Sequence, residues 1–152
     1  MAPDHAGTNP DPYNVQRFVD AQSEEYDDVC AELHAGKKRS HWIWYIFPQM
    51  KDLGMSSMSQ RFGISSLEEA RAYLEHGVLG PRLRECTRLV NVVEGRSLRE
   101  IFGSPDDLKF RSCMTLFAHA SDENRVFLDA LQKYCGGEFD PATLGLLEKR
   151  SP

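Results

Sequence analysis

Ser40-His41-Trp42-Ile43-Trp44-Tyr45-Ile46-Phe47-Pro48-Gln49 is the stretch on which the fold turns. Its aromatic and β-branched content suits a strand. A strand, however, needs a neighbour for its backbone N–H and C=O groups, and no other segment alternates apolar and polar residues as a half-buried strand does. A lone strand would leave those groups orphaned. The segment is therefore read as a short buried helix, capped by Ser40 and ended before Pro48, whose ring disfavours helical geometry in the preceding residue. On that reading the chain is all-α.

The flanking sequence agrees. Upstream, Val15, Phe18, Gln22, Tyr26, Val29 and Leu33 recur at three- and four-residue spacing, which predicts one long helix over 14–35 with Asn14 as its cap and Gly36 past its end. Downstream, Ser66-Leu67-Glu68-Glu69 and Ser97-Leu98-Arg99-Glu100 are capping boxes. Ser104-Pro105 and Asp140-Pro141 place a capping side chain before a proline at the first helical position, where a missing N–H costs nothing. Gly77, Gly95, Gly103 and Gly136 follow apolar-periodic stretches as stops. The spacing predicts helices at 66–76, 79–94, 97–103, 105–119, 122–135 and 141–149, with a serine-rich loop over 50–65. The expected architecture is one compact domain, residues 13–152, of about seven helices around the 41–47 segment. Residues 1–12, with three prolines and no periodicity, read as a flexible tail.

With 152 residues the chain is long enough for one proper core, and 18 Lys+Arg against 23 Asp+Glu give a net charge of −5. No global positive field draws it to nucleic acid or an anionic membrane, so nucleic-acid binding through Lys37-Lys38-Arg39 is disfavoured. The longest apolar run, Trp42 to Pro48, falls far short of the roughly 20 residues that span a bilayer. The N-terminal residues carry two acids and no apolar core, so they do not read as a secretory signal. Cys30, Cys86, Cys113 and Cys135 are widely spaced without a CxxC pair, as in a reduced, cytoplasmic protein that binds no metal.

The segment 36–59, GKKRSHWIWYIFPQMKDLGMSSMS, also carries a resemblance. With Arg17-Phe18-Val19-x-Ala21-Gln22 upstream it is similar to the family catalogued as domain of unknown function 1810. The similarity continues through Leu79-Gly80-x-Arg82-Leu83, Ser112-x-Met114-Thr115-Leu116-Phe117 and Thr143-Leu144, covering roughly residues 13 to 149. Phe62 departs from it, standing where the family favours tyrosine. The resemblance implies a small helical domain and no established activity. Members have been labelled calpastatin-like, a label for disordered inhibitory repeats that a periodic, compact sequence contradicts.

Candidate functional residues are polar groups in apolar company. His41, beside Trp42, has the titration range of a general acid or base. On a helix Trp42, Tyr45 and Gln49 share a face and form an aromatic wall for a planar ligand, while Trp44 points elsewhere. Arg17 sits in a first turn, where a cation is electrostatically unhelpful, so its role lies beyond its own helix. It either ties to Asp107 or joins Lys51 and Lys109 in an anion pocket. Ser112 and Thr115 can present two hydroxyls together. The expected function is binding of a small anionic, nucleotide-like ligand, with no cofactor implied and the oligomeric state left open. One alternative is a protein-interaction module whose aromatics are purely structural. Another is a hydrolase or transferase using His41, although the one tempting nucleophile, Cys113, lies in an apolar setting. No HExxH, GxxxxGK[ST] or GxGxxG motif is present.

Overall fold

A computed structural model describes residues 10–149 of the chain. Ten α-helices follow one another: α1 (Gln16–Gln22), α2 (Tyr26–His34), α3 (Ile43–Ile46), α4 (Ser57–Phe62), α5 (Leu67–Glu75), α6 (Leu79–Asn91), α7 (Leu98–Phe102), α8 (Asp106–Ala120), α9 (Arg125–Cys135) and α10 (Pro141–Lys149). A 3₁₀ turn occupies Lys51–Leu53. No strand occurs among the described residues, only an isolated parallel bridge between Met50 and Ile64. The all-α reading holds. Most of the expected tail, residues 1–9, lies outside the described residues.

The helices exceed the expected number of about seven for local reasons. The long helix expected over 14–35 breaks after Gln22, where the Ser23 hydroxyl donates to the Asp20 carbonyl at 3.0 Å and competes with the helical ladder. Asn14, in a left-handed conformation at φ 52°, is not the cap. Instead the Asp11 carboxylate accepts the N–H groups of Val15 and Gln16 at 2.9 and 3.0 Å. In the serine-rich segment, read as a loop, Ser56 caps α4 by accepting the Ser59 N–H. The 41–47 helix shrinks to the single turn of α3, and Ser40 does not cap it, because its hydroxyl donates to Glu32 at 2.7 Å.

Elsewhere three of the caps read from sequence, at Ser66, Ser97 and Asp140, are in place. Ser97 and Glu100 form a reciprocal capping box. Ser66 accepts the Glu69 N–H, but the Glu69 carboxylate turns to Ser65 and Arg17 instead of completing the box. Asp140 caps α10, accepting the Thr143 N–H at 3.0 Å. Pro105 lies at the N-cap of α8 and not at its first helical position, and Ser104 makes no capping bond there.

α8 is buried along almost its whole length and packs against α5, α7, α9, α10 and α3. A helix that is apolar nearly all round belongs at the centre of a fold. The aromatic segment is core on one side of it. Trp42 is 1% exposed, Phe47 meets Phe110 edge-on at 4.9 Å, and Phe102 stacks on Phe110 at 4.9 Å. On the other side Phe18 meets Tyr73 at 4.9 Å and Tyr73 meets Phe117 at 5.4 Å. Among the described residues no helix is long and apolar enough to cross a membrane.

Candidate functional site

The residues singled out in the sequence are not gathered around one cavity. Arg17 commits all five guanidinium N–H donors to the protein. Its Nε donates to the Arg61 carbonyl and its Nη1 to those of Tyr13 and Asn14, each at 2.8 Å; Nη2 donates to the Gly63 carbonyl at 3.0 Å and to Glu69 Oε2 at 2.7 Å. The tie expected to Asp107 goes to Glu69. Asp107 accepts the Leu108 N–H and borders a separate hollow with Arg99 and Arg111. Lys51 opens the 3₁₀ turn, where its N–H bonds the Ile64 carbonyl.

His41 is exposed, whereas Cys113, the nucleophile the sequence already disfavoured, is wholly buried with its thiol pushed well up by burial. Trp42 is sealed in the core and donates its indole N–H to Glu32 at 2.9 Å. The Tyr45 hydroxyl donates to Glu25, and burial followed by that hydrogen bond pushes its pKa far up. Gln49 does not share a face with Trp42 and Tyr45, because the chain leaves helical geometry after Ile46. It lies instead with Trp44 and Lys109 around a crevice of about 10 Å³, room for about one water. Lys109 Nζ stands 5.3 Å from the Trp44 ring centre and 3.7 Å from Asp106. Ser112 and Thr115 do act together: both bond the Asp140 turn, Ser112 donating to its carboxylate and Thr115 accepting its N–H.

A large concave feature lies elsewhere, between α2, the α5–α6 turn and the end of α8. It is a groove of about 840 Å³ whose lining includes Tyr26, Arg71, His76, Arg82, Arg84 and Arg88. Glu75, Glu85 and Glu123 also border it, so four guanidinium groups face three carboxylates. Glu85 is taken by Arg88, 3.3 Å away on the same helix.

Arg82 lines the groove and is held from two sides. Its guanidinium lies 4.5 Å from the centre of the Tyr26 ring, and Nη1 donates to Gln22 Oε1 at 3.3 Å. Gln22, 1% exposed, in turn donates to the Tyr45 carbonyl at 2.7 Å and the Tyr73 hydroxyl at 3.1 Å. A chain of polar contacts thus runs from the aromatic core to a half-buried arginine. No carboxylate among the described residues lies within ion-pair distance of Arg82, Arg71 or Arg84. Arg84 donates to the Glu123 carbonyl at 2.7 Å. At the groove's rim His76 Nδ1 accepts the N–H groups of Val78 and Leu79 at 3.1 and 3.3 Å, which leaves Nε2 to carry the proton.

Two glycines and a stripe shape the site. Gly80 has its Cα so close to α5 that an added Cβ would lie 2.0 Å from the Leu74 carbonyl oxygen, and this approach sets the angle of the α5–α6 corner. Gly77 gives the turn itself, with open space where a Cβ would be. The signal in the sequence was Arg82 itself. It falls three residues after Leu79 and four before Cys86, on the apolar stripe of α6, where an unpaired cation has no structural reason to be.

The structure also joins two cysteines that the sequence kept apart. Tyr26 and Cys30 are one turn apart on α2, and Arg82 and Cys86 one turn apart on α6. Tyr26, Cys30 and Cys86 meet where α2 packs on α6, close enough that each shifts the titration of the others.

The chain is similar to the crystal structure of the conserved hypothetical protein Rv1873 from Mycobacterium tuberculosis, with 58% sequence identity and a TM-score of 0.90 over 91% of this chain and 99% of that one. No curated protein matches it. The match to the model of a family described as protein of unknown function spans residues 12–147, most of the chain, and the chain belongs to that family, DUF1810.

Proposed function

We propose that the protein binds a small anionic, nucleotide-like ligand, and that the ligand lies in the Arg82 groove and not against the 41–49 segment. The supporting observation is the state of Arg82: half-buried, fixed by Tyr26 and Gln22, and without a carboxylate partner among the described residues. Holding a cation in a partly desolvated position is costly unless an anion completes it. Arg71 and Arg84 flank it with guanidinium groups that no carboxylate among the described residues pairs at ion-pair distance, and planar forks of this kind suit phosphate or carboxylate oxygens. The His76 Nε2–H supplies a neutral donor at the rim. The groove's size is that of a metabolite site. Its glutamates favour a ligand that is anionic at one end and a hydrogen-bond donor at the other, as a nucleotide is.

The test is a thermal-shift and calorimetric titration with ADP, ATP and inorganic pyrophosphate against the parent chain, Arg82→Gln and His41→Ala. A ligand at about 100 times its dissociation constant stabilises by about 2.7 kcal/mol. Binding that Arg82→Gln abolishes and His41→Ala leaves unchanged supports the groove. A flat response to all three probes, or binding insensitive to Arg82→Gln, rejects it.

A further inference from the structure

Three rungs show how α2 and α6 are aligned. Arg82 lies over the Tyr26 ring at 4.5 Å, Cys30 and Cys86 each follow one turn later on the two packed helices, and a Cβ on Gly36 would lie 3.3 Å from the Val93 side chain. The offset between partners is nearly constant from one rung to the next, so the helices run parallel with their facing stripes in register. The two sulfurs meet on the middle rung. Cys86 is wholly buried, Cys30 is half-buried at the surface side of the contact, and both are free thiols. Such an arrangement puts one thiol within reach of a small solute and holds a second directly behind it.

We propose that Cys30 and Cys86 form a redox-active dithiol, in which hydrogen peroxide oxidises Cys30 and Cys86 then closes an intramolecular disulfide. In the first step Cys30 Sγ attacks one peroxide oxygen, the O–O bond breaks, and Cys30 becomes a sulfenic acid as one water leaves. In the second, Cys86 Sγ attacks Cys30 Sγ, the S–O bond breaks, and the hydroxyl departs with the Cys86 proton as a second water. Two thiols are oxidised by two electrons and one peroxide is reduced to two waters. The roles follow from the surroundings. The hydrogen bond from Cys86 lowers the Cys30 pKa against the opposing effect of burial, and Tyr26 assists, so thiolate collects on the accessible sulfur. The same hydrogen bond, followed by burial, raises Cys86. Cys113, sealed in the core, and Cys135 both have thiols that burial raises. Because Tyr26 belongs both to this cluster and to the groove wall, the disulfide would close beside Arg82, although the chemistry does not depend on what the groove binds.

The experiment uses the full reduced chain, treated with hydrogen peroxide and quenched over a time course, with intact-mass and peptide mapping. The expected product is a monomer lighter by two hydrogen atoms, with a Cys30–Cys86 linked peptide that dithiothreitol reverses. Cys30 should react about tenfold or more faster than Cys135. In Cys86→Ala, dimedone should trap Cys30 as a sulfenic acid; in Cys30→Ala, Cys86 should stay unmodified. A linkage between other cysteines overturns the proposal. So does direct passage of Cys30 to sulfinic acid with Cys86 intact, or a Cys30 no faster than Cys135. The mapping on the unsubstituted chain decides the matter even where a variant fails to fold.

Discussion

Arg17 and Glu69, 52 residues apart in sequence, meet at 2.7 Å and lock α1 onto the start of α5. The carboxylate is only 4% exposed and the arginine 16%, so the pair is largely out of water. Glu69 also accepts the Ser65 N–H and hydroxyl, which means that one carboxylate joins two segments and a helix start. Removing one partner of such a pair strands the other in a poor solvent.

Glu69→Ala is therefore expected to destabilise the fold by about 3–5 kcal/mol, read as a lower urea midpoint at unchanged slope. Asp107→Ala, which removes the partner expected from sequence, should stay within about 0.5 kcal/mol. Equal effects of the two substitutions would refute the assignment.

Glu32 gathers the N–H groups of Arg39 and Ser40, the Ser40 hydroxyl and the Trp42 indole. Burial alone would raise its pKa, but the bonds from Arg39, Ser40 and Trp42 outweigh it and the net shift is downward. A carboxylate with a lowered folded-state pKa stabilises the fold above its ordinary value of 4.5 and loses that contribution as pH falls through the lower folded-state value. Glu32→Gln should flatten the decline of melting temperature on acidification in that range. An unchanged acid limb in the variant would contradict the role.

Gly80→Ala places a methyl group 2.0 Å from the Leu74 carbonyl oxygen, a backbone atom that cannot rotate away. Overpacking of this kind costs about 1–3 kcal/mol, and α6 must shift to relieve it. Gly77→Ala, with open space around it, should cost less. Chemical denaturation of both variants checks the order, and the same two proteins should differ in probe binding at the groove.

Gln22→Leu removes the amide that satisfies the Tyr45 carbonyl, the Tyr73 hydroxyl and Arg82 together. Leaving buried acceptors and donors unmatched costs about 1–3 kcal/mol. The variant should also loosen Arg82 and weaken pyrophosphate binding while leaving Arg84 in place. Full stability combined with unaltered binding would show that the Gln22 bridge is incidental.

The all-α fold was legible because its signals are local. Ser97, Ser66 and Asp140 cap by bonding N–H groups three residues on, and those bonds depend on the nearby chain alone. The absence of any alternating partner was enough to exclude a strand at 40–49, of which only Ile43–Ile46 is helical, and most of its aromatics became core as their area demands. The break after Gln22 and the extra helix over 57–62 were harder to read, since a serine hydroxyl decides each by choosing one backbone partner among several. The site was decided almost wholly by tertiary structure. Arg17 needed Glu69, Arg82 needed Gln22 from 60 residues away, and Cys30 needed Cys86 on another helix. Periodicity says which residues share a face of one helix. Which two faces meet is fixed only when the helices pack, and here Gly80 and the parallel register of α2 and α6 make that choice.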